Sequence, residues 1–362
     1  MAAPERGLVL VTLGLTALGV VVVYSTTGIY AREHFGDSLY FLRRELVFVL
    51  AGFTGLVAAR LVGVERLRRL SVPGLFLAVG LLIAVLVFGR EVGGAQRWFR
   101  LFGMSFQPIE VVKILVVLYF ADFLARRQKE IKSFKRTFLP AACILGAVLV
   151  LVLAQPDLGS ALLLLGIAGS LFFVAGVRVY HLIATVLAFI PAFITLVAVA
   201  PYRVRRIAAF LNPWEDPQGT GYQAIQSFVS IASGGATGVG LGRSHQKLFF
   251  LPQAHTDFAY SIIGEELGFI GSLGVLVLFV VFIWLGFRLA LQARNLYGSL
   301  VGIGLMLSIG LEAVIHMAVA VGAMPTKGMP LPFISYGGSA LVFHLTGVGA
   351  VLSLAQRKGI FK

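Results

Sequence analysis

The chain has 362 residues, of which 58% are apolar and only 13% charged, and its mean hydropathy is +0.93. A soluble domain of this length would interrupt its apolar runs every few residues, so a soluble globular protein is excluded. The net charge of +14 is scattered over short segments between the apolar runs. That distribution argues against nucleic-acid binding and indicates attraction to anionic lipid.

Apolar runs of about 18–22 residues recur along the chain, and each could cross about 30 Å of hydrocarbon as a helix. This pattern predicts an all-α, polytopic membrane protein with a single transmembrane domain, residues 1–362. The first run lacks a convincing small-residue cleavage site and is predicted to span rather than to be removed. The ten predicted spans lie at about 7–27, 45–62, 72–89, 106–125, 137–154, 159–176, 182–200, 267–287, 298–320 and 338–356.

The charges of the short loops predict the orientation. One set of segments contains 17 of the 30 Lys and Arg residues, against Glu5, Glu65 and Glu130; the opposite set contains 12, and Lys113 lies within a span. By the positive-inside rule the richer set is cytoplasmic, so both termini are predicted to face the cytoplasm. The richer set comprises residues 1–6, 60–71, 126–136, 177–181, 288–297 and 357–362.

The unusual polar residues gather on the opposite, outer side, whereas transporters carry theirs near the midplane of the bilayer. The long connection 201–256, between the seventh and eighth spans, contains "AIQSFVSIASGG", which is too short to cross and predicts a re-entrant or interfacial helix. The glycine-rich "SGGATGVGLG" that overlaps it is a poor phosphate-loop match and predicts a flexible connector. No Walker A, zinc or dinucleotide motif is present, and neither a nucleotide nor haem is expected.

The fourth span opens with Gln107-Pro108 and then carries Glu110 and Lys113. Residues three apart share a helix face, so these two can pair, which lowers the cost of placing either in the membrane. Two interpretations stay open at this point. The pair is either a structural ion pair that fixes helix packing, or Lys113 binds an anionic group and Glu110 orients it.

Further polar groups lie in other outer segments. Asp157, after Pro156, is predicted to cap the sixth span. The cluster "YRVRRIAAFLNPW" carries Arg203, Arg205 and Arg206, which point to a phosphate-bearing ligand, although outer arginines often contact only lipid headgroups. Arg97 in "AQRW" and Lys327 in "PTKG" are two more outer cations.

The stretch "LPQAHTDFAYSIIGEELG" (251–268) places acids next to an apolar run. On a continuous helix Glu265 would lie about 12 Å from Asp257 along the axis and roughly 80° round it. Paired glycosidase carboxyls lie about 5–9.5 Å apart, so the spacing argues against such a pair. Asp257 is therefore predicted to be a lone carboxylate, or alternatively a helix cap, with His255 as a hydrogen-bonding neighbour. Glu265 and Glu266 are predicted to fix helix packing.

One carboxylate with several cations suits glycosyl transfer from a lipid pyrophosphate. Pyrophosphate leaves readily once its charge is neutralised, so the reaction needs no general acid. It needs a base for the attacking hydroxyl and positive charge at the leaving group.

Five blocks of the chain, in this order, resemble the SEDS proteins (shape, elongation, division and sporulation), the bacterial peptidoglycan polymerases that include FtsW and RodA. The resemblance covers essentially the whole chain, and "PWEDPQGTGYQ", "KLFFLPQAHTDF" and "PTKG" are closer to FtsW, the division member. The blocks are "QRWFRLFGMSFQPIEVVKILVVLYFADFLARRQ", "LAQPDLGSALLLL", "YRVRRIAAFLNPWEDPQGTGYQAIQS", "KLFFLPQAHTDFAYSIIGEELGFIG" and "MPTKGMPLPFISYGGSAL".

The resemblance implies an enzyme that joins lipid II units into glycan strands on the outer face of the bacterial cytoplasmic membrane and releases undecaprenyl pyrophosphate. It implies a location at the division septum and contact with divisome regulatory proteins. It also implies a class B penicillin-binding protein (an FtsI-type transpeptidase) as partner. A divalent cation, Mg²⁺ or Mn²⁺, is implied as well, with Asp257 a candidate ligand in an otherwise unknown metal site.

The resemblance also assigns residues. The family's essential aspartate falls on Asp257, its "QPxExxK" motif on Glu110 and Lys113, its "TKG" lysine on Lys327, and an arginine before the second span on Arg44. The chain departs from the family at Gln253 (usually Glu), Ala340 (often Ser) and His316 (expected Asn). The candidate substrate-binding residues are Arg44, Arg97, Glu110, Lys113, Arg203, Arg205, Arg206, His255, Lys327 and Ser335.

The resulting hypothesis is that Asp257 deprotonates the 4-hydroxyl of the acceptor sugar, which attacks the anomeric carbon of the donor lipid with inversion. A lipid II flippase, a structural division scaffold and an elongation (RodA-type) role are the alternatives. A flippase would need polar residues across the whole bilayer. The cytoplasmic half offers only Asp122, Glu312 and His316 besides its loop cations.

Overall fold

The computed structural model describes residues 3–92, 95–101, 104–248 and 250–355. Most of these residues are helical, and the helices account for the predicted apolar runs. The α-helices are α1 (Ala3–Phe35), α2 (Tyr40–Val62), α3 (Val64–Leu67), α4 (Ser71–Phe88), α5 (Pro108–Arg126), α6 (Leu139–Ala154), α7 (Leu158–Ala175), α8 (Val179–Ala198), α9 (Pro201–Leu211), α10 (Tyr222–Gly234), α11 (Ala259–Leu291), α12 (Leu296–Ala320) and α13 (Gly338–Ser353). A π-helical turn, Phe134–Phe138, leads into α6, and 3₁₀ turns cover Arg68–Leu70, Gln128–Glu130 and Pro213–Glu215.

The predicted class, an all-α polytopic membrane protein, is confirmed. Eight helical segments in the described part of the chain are long and apolar enough to cross a membrane. They are Ala3–Phe35, Tyr40–Val62, Val64–Phe88, Phe134–Ala154, Leu158–Ala175, Val179–Ala198, Ala259–Leu291 and Leu296–Ala320. The other two predicted spans correspond to α5, which carries several charges, and α13, which has 16 residues. The count of ten spans and the single domain over residues 1–362 therefore stay predictions.

A small antiparallel sheet between α4 and α5 was not anticipated. Its strands are β1 (Arg90–Val92), β2 (Ala95–Leu101) and β3 (Met104–Phe106), in the order β1-β2-β3. Strands β1 and β3 have three residues each and carry a weak sequence pattern, and apolar flanking runs obscure the pattern of β2. The sheet is followed directly by Pro108, which occupies the first turn of α5 as predicted.

Helices α2 and α13 approach closely because glycines line their contact. A Cβ on Gly349 would overlap the carbonyl oxygen of Leu56, and one on Gly52 would overlap the side chain of Leu345. Small residues at such contacts let helix backbones come together where lipid supplies no hydrophobic driving force. This contact fixes two helices that carry polar residues of the site, Arg44 and His344.

The long connection before α11 contains two helices, α9 and α10. The predicted helix in "AIQSFVSIASGG" is α10, and hydroxyls hold it to the core. Ser227 Oγ lies 2.6 Å from Ser261 Oγ and donates to the carbonyl of Ala320 at 2.7 Å, and Ser230 Oγ donates to the carbonyl of Ser261 at 3.0 Å. The position of α10 relative to the membrane stays a prediction.

The prediction of a flexible connector in the glycine-rich segment was wrong. Residues 235–240 pair with a kink in α11 at Gly268, whose φ is 67° and ψ −165°. Val239 and Gly240 donate to the carbonyls of Glu265 and Glu266, and Phe269 and Ile270 donate to those of Gly235 and Ala236, all at 2.9–3.1 Å. Because a kink frees backbone groups that lipid cannot satisfy, this loop supplies their partners. We name these four hydrogen bonds the kink clamp.

Replacing Gly268 by Ala is expected to destabilise the protein by at least about 1 kcal/mol, because a non-glycine residue is strained at positive φ. A Cβ there would also overlap the backbone of Ala236 and Gly238. Thermal unfolding in detergent measures the effect. Gly274→Ala is the matched control, since Gly274 lies on the same helix with open space beside it. Equal melting temperatures for the two variants would contradict the interpretation.

Candidate active site at the outer loops

Asp257 lies in a turn just ahead of α11, half-buried, with its N–H donating to the carbonyl of Gln253 at 3.0 Å. The helix begins two residues later, and its N-cap is Phe258, which makes no side-chain cap hydrogen bond. The alternative of Asp257 as the helix cap is therefore not what the structure shows. The continuous helix assumed in the spacing argument is also absent at Asp257.

Glu265 and Glu266 fix packing, as predicted. Glu265 accepts hydrogen bonds from Ser244 Oγ at 2.6 Å, from the N–H of His245 at 2.8 Å and from Ser230 Oγ at 3.1 Å. Glu266 forms a buried ion pair with Lys247 at 2.8 Å. With these partners, neither glutamate is the second member of a carboxylate pair with Asp257.

Burial raises the pKa of Asp257 to about 6, opposed by a hydrogen bond from Thr256 and by the charge of Arg206. A carboxylate with this pKa is largely ionised at neutral pH and is a stronger base than an ordinary aspartate. Gln253, where the family usually has Glu, accepts a hydrogen bond from Thr256 Oγ1 at 3.2 Å. Its amide therefore supports the turn without adding a negative charge.

The "PTKG" loop is brought against this carboxylate. A Cβ built on Gly328 would lie 3.1 Å from Asp257 Oδ2, so a residue without a side chain allows the close approach. Arg206 reaches the same loop, and its Nη1 donates to the carbonyl of Thr326 at 3.4 Å. The structure therefore brings together Asp257, Arg206 and the loop that carries Lys327.

The three predicted arginines do not form one cluster, because α9 turns them to different sides. Arg203 and Arg206 are three apart on the helix, whereas Arg205 lies about 100° from Arg206. Arg205 and Arg206 are both exposed, and Arg203 is half-buried. Arg203 donates to the carbonyl of Leu196 at 2.6 Å and so satisfies the end of α8. Of the three, Arg206 is the one whose charge acts on Asp257.

Lys327 lies across Gly159, where any Cβ would overlap its side chain. Burial lowers its pKa to about 8; the charges of Asp157 and Glu312 oppose the shift, and those of Lys113 and Arg97 add to it.

Asp157 caps α7 as predicted, accepting from the N–H of Ser160 at 3.0 Å. Arg97 donates to the carbonyls of Gln155, at 2.9 Å, and Pro156, so it holds the loop beside Lys327.

Lys113 belongs to a buried polar cluster formed by α5, α12 and α13. Its Nζ lies 2.7 Å from Glu110 Oε2 and also contacts Glu312 Oε1, and Glu312 Oε2 lies 2.9 Å from His344 Nε2. The predicted pairing of Glu110 with Lys113 is confirmed. The sequence places Glu312 in the cytoplasmic half, whereas in the structure it contacts Lys113 in the second turn of α5, at the end of that helix predicted to face outward. We name Glu110, Lys113, Glu312 and His344 the buried cluster.

Sequence reasoning missed Glu312 and His344 as members of the site. The available signal was a charged residue and a histidine inside otherwise apolar helices, which marks a functional candidate by default. His316 lies at the same end of the helices as Asp257, since its Nε2 lies 3.4 Å from the N–H of Tyr260, near the start of α11. The helix partners of all three residues are distant in sequence, so their grouping could not be derived from spacing.

A metal ion could in principle be held by Glu110, Glu312 and His344, whose ligand atoms lie within 4.8 Å of one another. The Lys113 ammonium contacts both carboxylates, however, and supplies the positive charge there. A divalent ion at this place would be repelled by the lysine, so the buried cluster does not fit a metal site while Lys113 is in position.

Arg44, His255 and Ser335 lie around an aromatic cluster next to Asp257. The His255 ring is 6.0 Å from the rings of Tyr30 and Phe41 and 6.2 Å from that of Tyr336. Burial lowers the pKa of His255 to about 4, so it is neutral at physiological pH. Arg44 stacks over Tyr40, with its guanidinium carbon 4.5 Å from the ring centroid. Ser335 Oγ is buried and accepts from the N–H of Leu331 at 2.9 Å.

An apolar cavity of about 1080 Å³ opens between α6, α7 and α8 and reaches α11 and α12. Its walls are mainly Leu, Phe, Val, Ala and Gly residues, with Ser170 and Thr185 the hydroxyl-bearing side chains among them. Most residues of α8 are exposed, so the cavity has access from that side. Its chemistry suits a hydrocarbon chain.

Comparisons with known proteins agree with this architecture. The family model of the FtsW, RodA and SpoVE group, described as "Cell cycle protein", matches residues 6–359. A probable peptidoglycan glycosyltransferase FtsW of Geobacter sp. (strain M18) is 42% identical over 347 residues, covering 95% of this chain and 94% of that protein. Stage V sporulation protein E of Bacillus subtilis is 39% identical over 356 residues, covering 98% and 97%.

Solved structures are similar over the same length. A chain from a peptidoglycan synthase complex that coordinates polymerization and crosslinking superposes with a TM-score of 0.81 at 33% identity, covering 97% of each chain. The rod shape determining protein RodA of Thermus thermophilus superposes with a TM-score of 0.70 at 30% identity, again covering 97% of each. The chain belongs to the FtsW/RodA/SpoVE family of cell cycle proteins.

Proposed function

We propose that the chain is a peptidoglycan glycosyltransferase that polymerises lipid II into glycan strands in cell division. The observation that carries the proposal is Asp257, a half-buried carboxylate of raised pKa held against the "PTKG" loop, with Arg206 and Lys327 supplied from other segments. The names of the relatives support the activity and, through FtsW, the division role.

In the proposed reaction the Asp257 carboxylate takes the proton of the acceptor sugar's 4-hydroxyl. The oxygen attacks the anomeric carbon of the donor lipid, the bond to pyrophosphate breaks with inversion, and undecaprenyl pyrophosphate leaves with the electron pair. Lys327 and Arg206 stabilise the negative charge of the leaving pyrophosphate, and the buried Lys113 adds positive charge from further inside the protein. Arg44, Arg97, Arg203, Arg205, Glu110, His255 and Ser335 remain proposed binding residues, and those with backbone or aromatic partners would act by holding the loops in place.

A divalent cation, Mg²⁺ or Mn²⁺, is a further part of the proposal. Pyrophosphate oxygens would supply most of its ligands, as Mg²⁺ commonly takes few from protein, and Asp257 is the carboxylate of this site open enough to contribute. When bound, the ion supplies positive charge to the leaving group. The apolar cavity would hold the polyprenyl chain of a substrate lipid.

The cellular location and the partners of the protein are part of the same proposal. The protein would lie in the bacterial cytoplasmic membrane with both termini in the cytoplasm, act at the division septum, and contact a class B penicillin-binding protein and divisome regulators. The similarity to a chain of a peptidoglycan synthase complex supports a partner of this kind.

The purified chain, incubated with lipid II, its penicillin-binding partner and Mg²⁺ or Mn²⁺, is expected to form glycan strands that a gel resolves by length. Chelation of the divalent ion is expected to stop the reaction. Transfer of lipid II across a vesicle bilayer without strand formation would instead support the flippase alternative. Rescue of rod-shape elongation but not division in cells would support the RodA-type role.

A further inference from the structure

His316 is a buried side chain of α12 that the proposed reaction does not use. It is 2% exposed, and both nitrogens of its ring have backbone partners. Nδ1 lies 2.7 Å from the carbonyl oxygen of Met329, and Nε2 lies 3.4 Å from the backbone nitrogen of Tyr260. The ring therefore contacts two segments that are far apart in the chain, the start of α11 and the loop that follows α12.

The two partners determine where the ring carries its proton. The carbonyl of Met329 can only accept a hydrogen bond, so Nδ1 is protonated and donates. The N–H of Tyr260 can only donate, so Nε2 is unprotonated and accepts. A second proton on Nε2 would point at that N–H, so His316 is neutral in this arrangement, with its proton on Nδ1.

The contact with Tyr260 takes the place of a helix cap. The first N–H groups of a helix have no partner within it, and Phe258, the N-cap of α11, makes no side-chain cap hydrogen bond. Tyr260 is the second residue of α11, so its N–H is one of these groups. His316 satisfies it from another helix. Because Asp257 lies three residues before Tyr260, this bond also restrains the turn that carries the proposed base.

The contact with Met329 restrains the "PTKG" loop. Met329 lies two residues after Lys327; its N–H donates to the Lys327 carbonyl at 3.1 Å, and its sulfur contacts the Lys327 ammonium. Gly328, between the two, is the residue that packs against the Asp257 carboxylate. The base and the cation thus lie on two segments that meet at Gly328 and are joined a second time through His316.

We propose that His316 is a positioning residue that joins the segment carrying the base, Asp257, to the loop carrying the cation, Lys327. The inference rests on the proposed function, because it concerns the geometry of these two groups during transfer. His316 acts through the backbone of its two partners and does not touch substrate. Both hydrogen bonds are needed, since a ring bonded to only one segment leaves the other free to move.

Three substitutions separate the two hydrogen bonds. Asparagine places an amide nitrogen near the position of Nδ1 and can keep the bond to Met329, whereas glutamine places an amide oxygen near that of Nε2 and can keep the bond to Tyr260. Phenylalanine keeps a ring and neither bond. His316→Asn, His316→Gln and His316→Phe are each expected to lower strand formation roughly 10–10²-fold, the cost of a small displacement of reacting groups.

Met317→Leu is the matched control, a volume-conserving change at the adjacent buried position of α12, and is expected to keep the wild-type rate. Thermal unfolding in detergent checks that each variant folds. Wild-type activity in His316→Asn or in His316→Gln would show that one bond is enough and would overturn the inference.

Amide hydrogen exchange tests the connection without the activity. Exchange at the N–H groups of Tyr260 and Met329 is expected to become about fivefold faster in His316→Phe, the factor that corresponds to one net hydrogen bond. His316→Asn is expected to speed exchange at Tyr260, His316→Gln at Met329, and Met317→Leu at neither. Unchanged exchange at either residue in His316→Phe would refute the connection. If the wild type fails to polymerise lipid II, the proposed function falls, while exchange still decides whether His316 joins the two segments.

The proton position gives a third test, made on the wild-type protein. Nitrogen-15 NMR of the histidine-labelled chain distinguishes a ring protonated on Nδ1 from one protonated on Nε2. The ring whose signals are lost in His316→Phe or His316→Asn is expected to carry its proton on Nδ1. A proton on Nε2 would contradict the two hydrogen bonds on which the inference depends.

Discussion

Asp257→Asn is expected to abolish glycan strand formation, with a loss of roughly 10²–10⁴-fold, the range typical for removing a general base. Asparagine keeps the shape of the side chain but cannot accept the proton of the attacking hydroxyl. The variant is expected to fold, because Asp257 is half-buried and its packing is preserved. Gel analysis of lipid II products measures the activity, and thermal unfolding checks the fold.

The wild-type pH profile gives an independent check of the same residue. The base must be ionised, and the pKa of Asp257 is raised to about 6 by burial. Activity should therefore be constant on the acidic side down to about pH 7 and fall below pH 6 as the carboxylate takes up a proton. Wild-type rates in Asp257→Asn, or an acidic limb near pH 4, would rule out Asp257 as the base.

Lys113→Met is expected to lose both activity and stability. The substitution leaves Glu110 and Glu312 buried without the cation they share, and breaking a buried ion pair costs about 3–5 kcal/mol. Thermal unfolding in detergent measures the stability, and strand formation on lipid II measures the activity.

A triple variant distinguishes the structural from the functional interpretation of this lysine, which the sequence left open. Adding Glu110→Gln and Glu312→Gln to Lys113→Met removes the unpaired charges, so most of the lost stability is expected to return. Activity is expected to stay lost, since no ammonium remains behind the leaving group. Recovery of activity along with stability would show that Lys113 is only a structural ion pair.

The fold class could be predicted because it depends on local composition. Long apolar runs predict helices that cross a membrane whatever their neighbours are, and Pro108 and Asp157 act within a single turn. The sheet at 90–106 and the kink at Gly268 escaped prediction. Two of the three strands of the sheet have only three residues and carry almost no pattern. The kink depends on partners for its freed backbone groups, and those partners lie elsewhere in the chain.

The site was predictable in part for the same reason. Asp257, Glu110 and Lys113 could be found because each lies in a short sequence block whose neighbouring residues already suggest its chemical role. Glu312 and His344 could not be placed, since Glu312 pairs with Lys113, 199 residues away in the chain, and His344 pairs with Glu312 on another helix, 32 residues away. The three arginines of α9 were grouped by sequence proximity, but on a helix Arg205 points about 100° away from Arg206 and about 160° away from Arg203.

The kink clamp has a mechanical consequence. Its four hydrogen bonds join residues 235–240 to both sides of the bend in α11. The first turns of that helix and residues 235–240 are therefore expected to move together as one rigid unit. Asp257 lies two residues before this helix begins. A neighbouring protein that displaced residues 235–240 would therefore tilt the start of α11 and move the Asp257 carboxylate, whereas a flexible connector would not transmit the displacement.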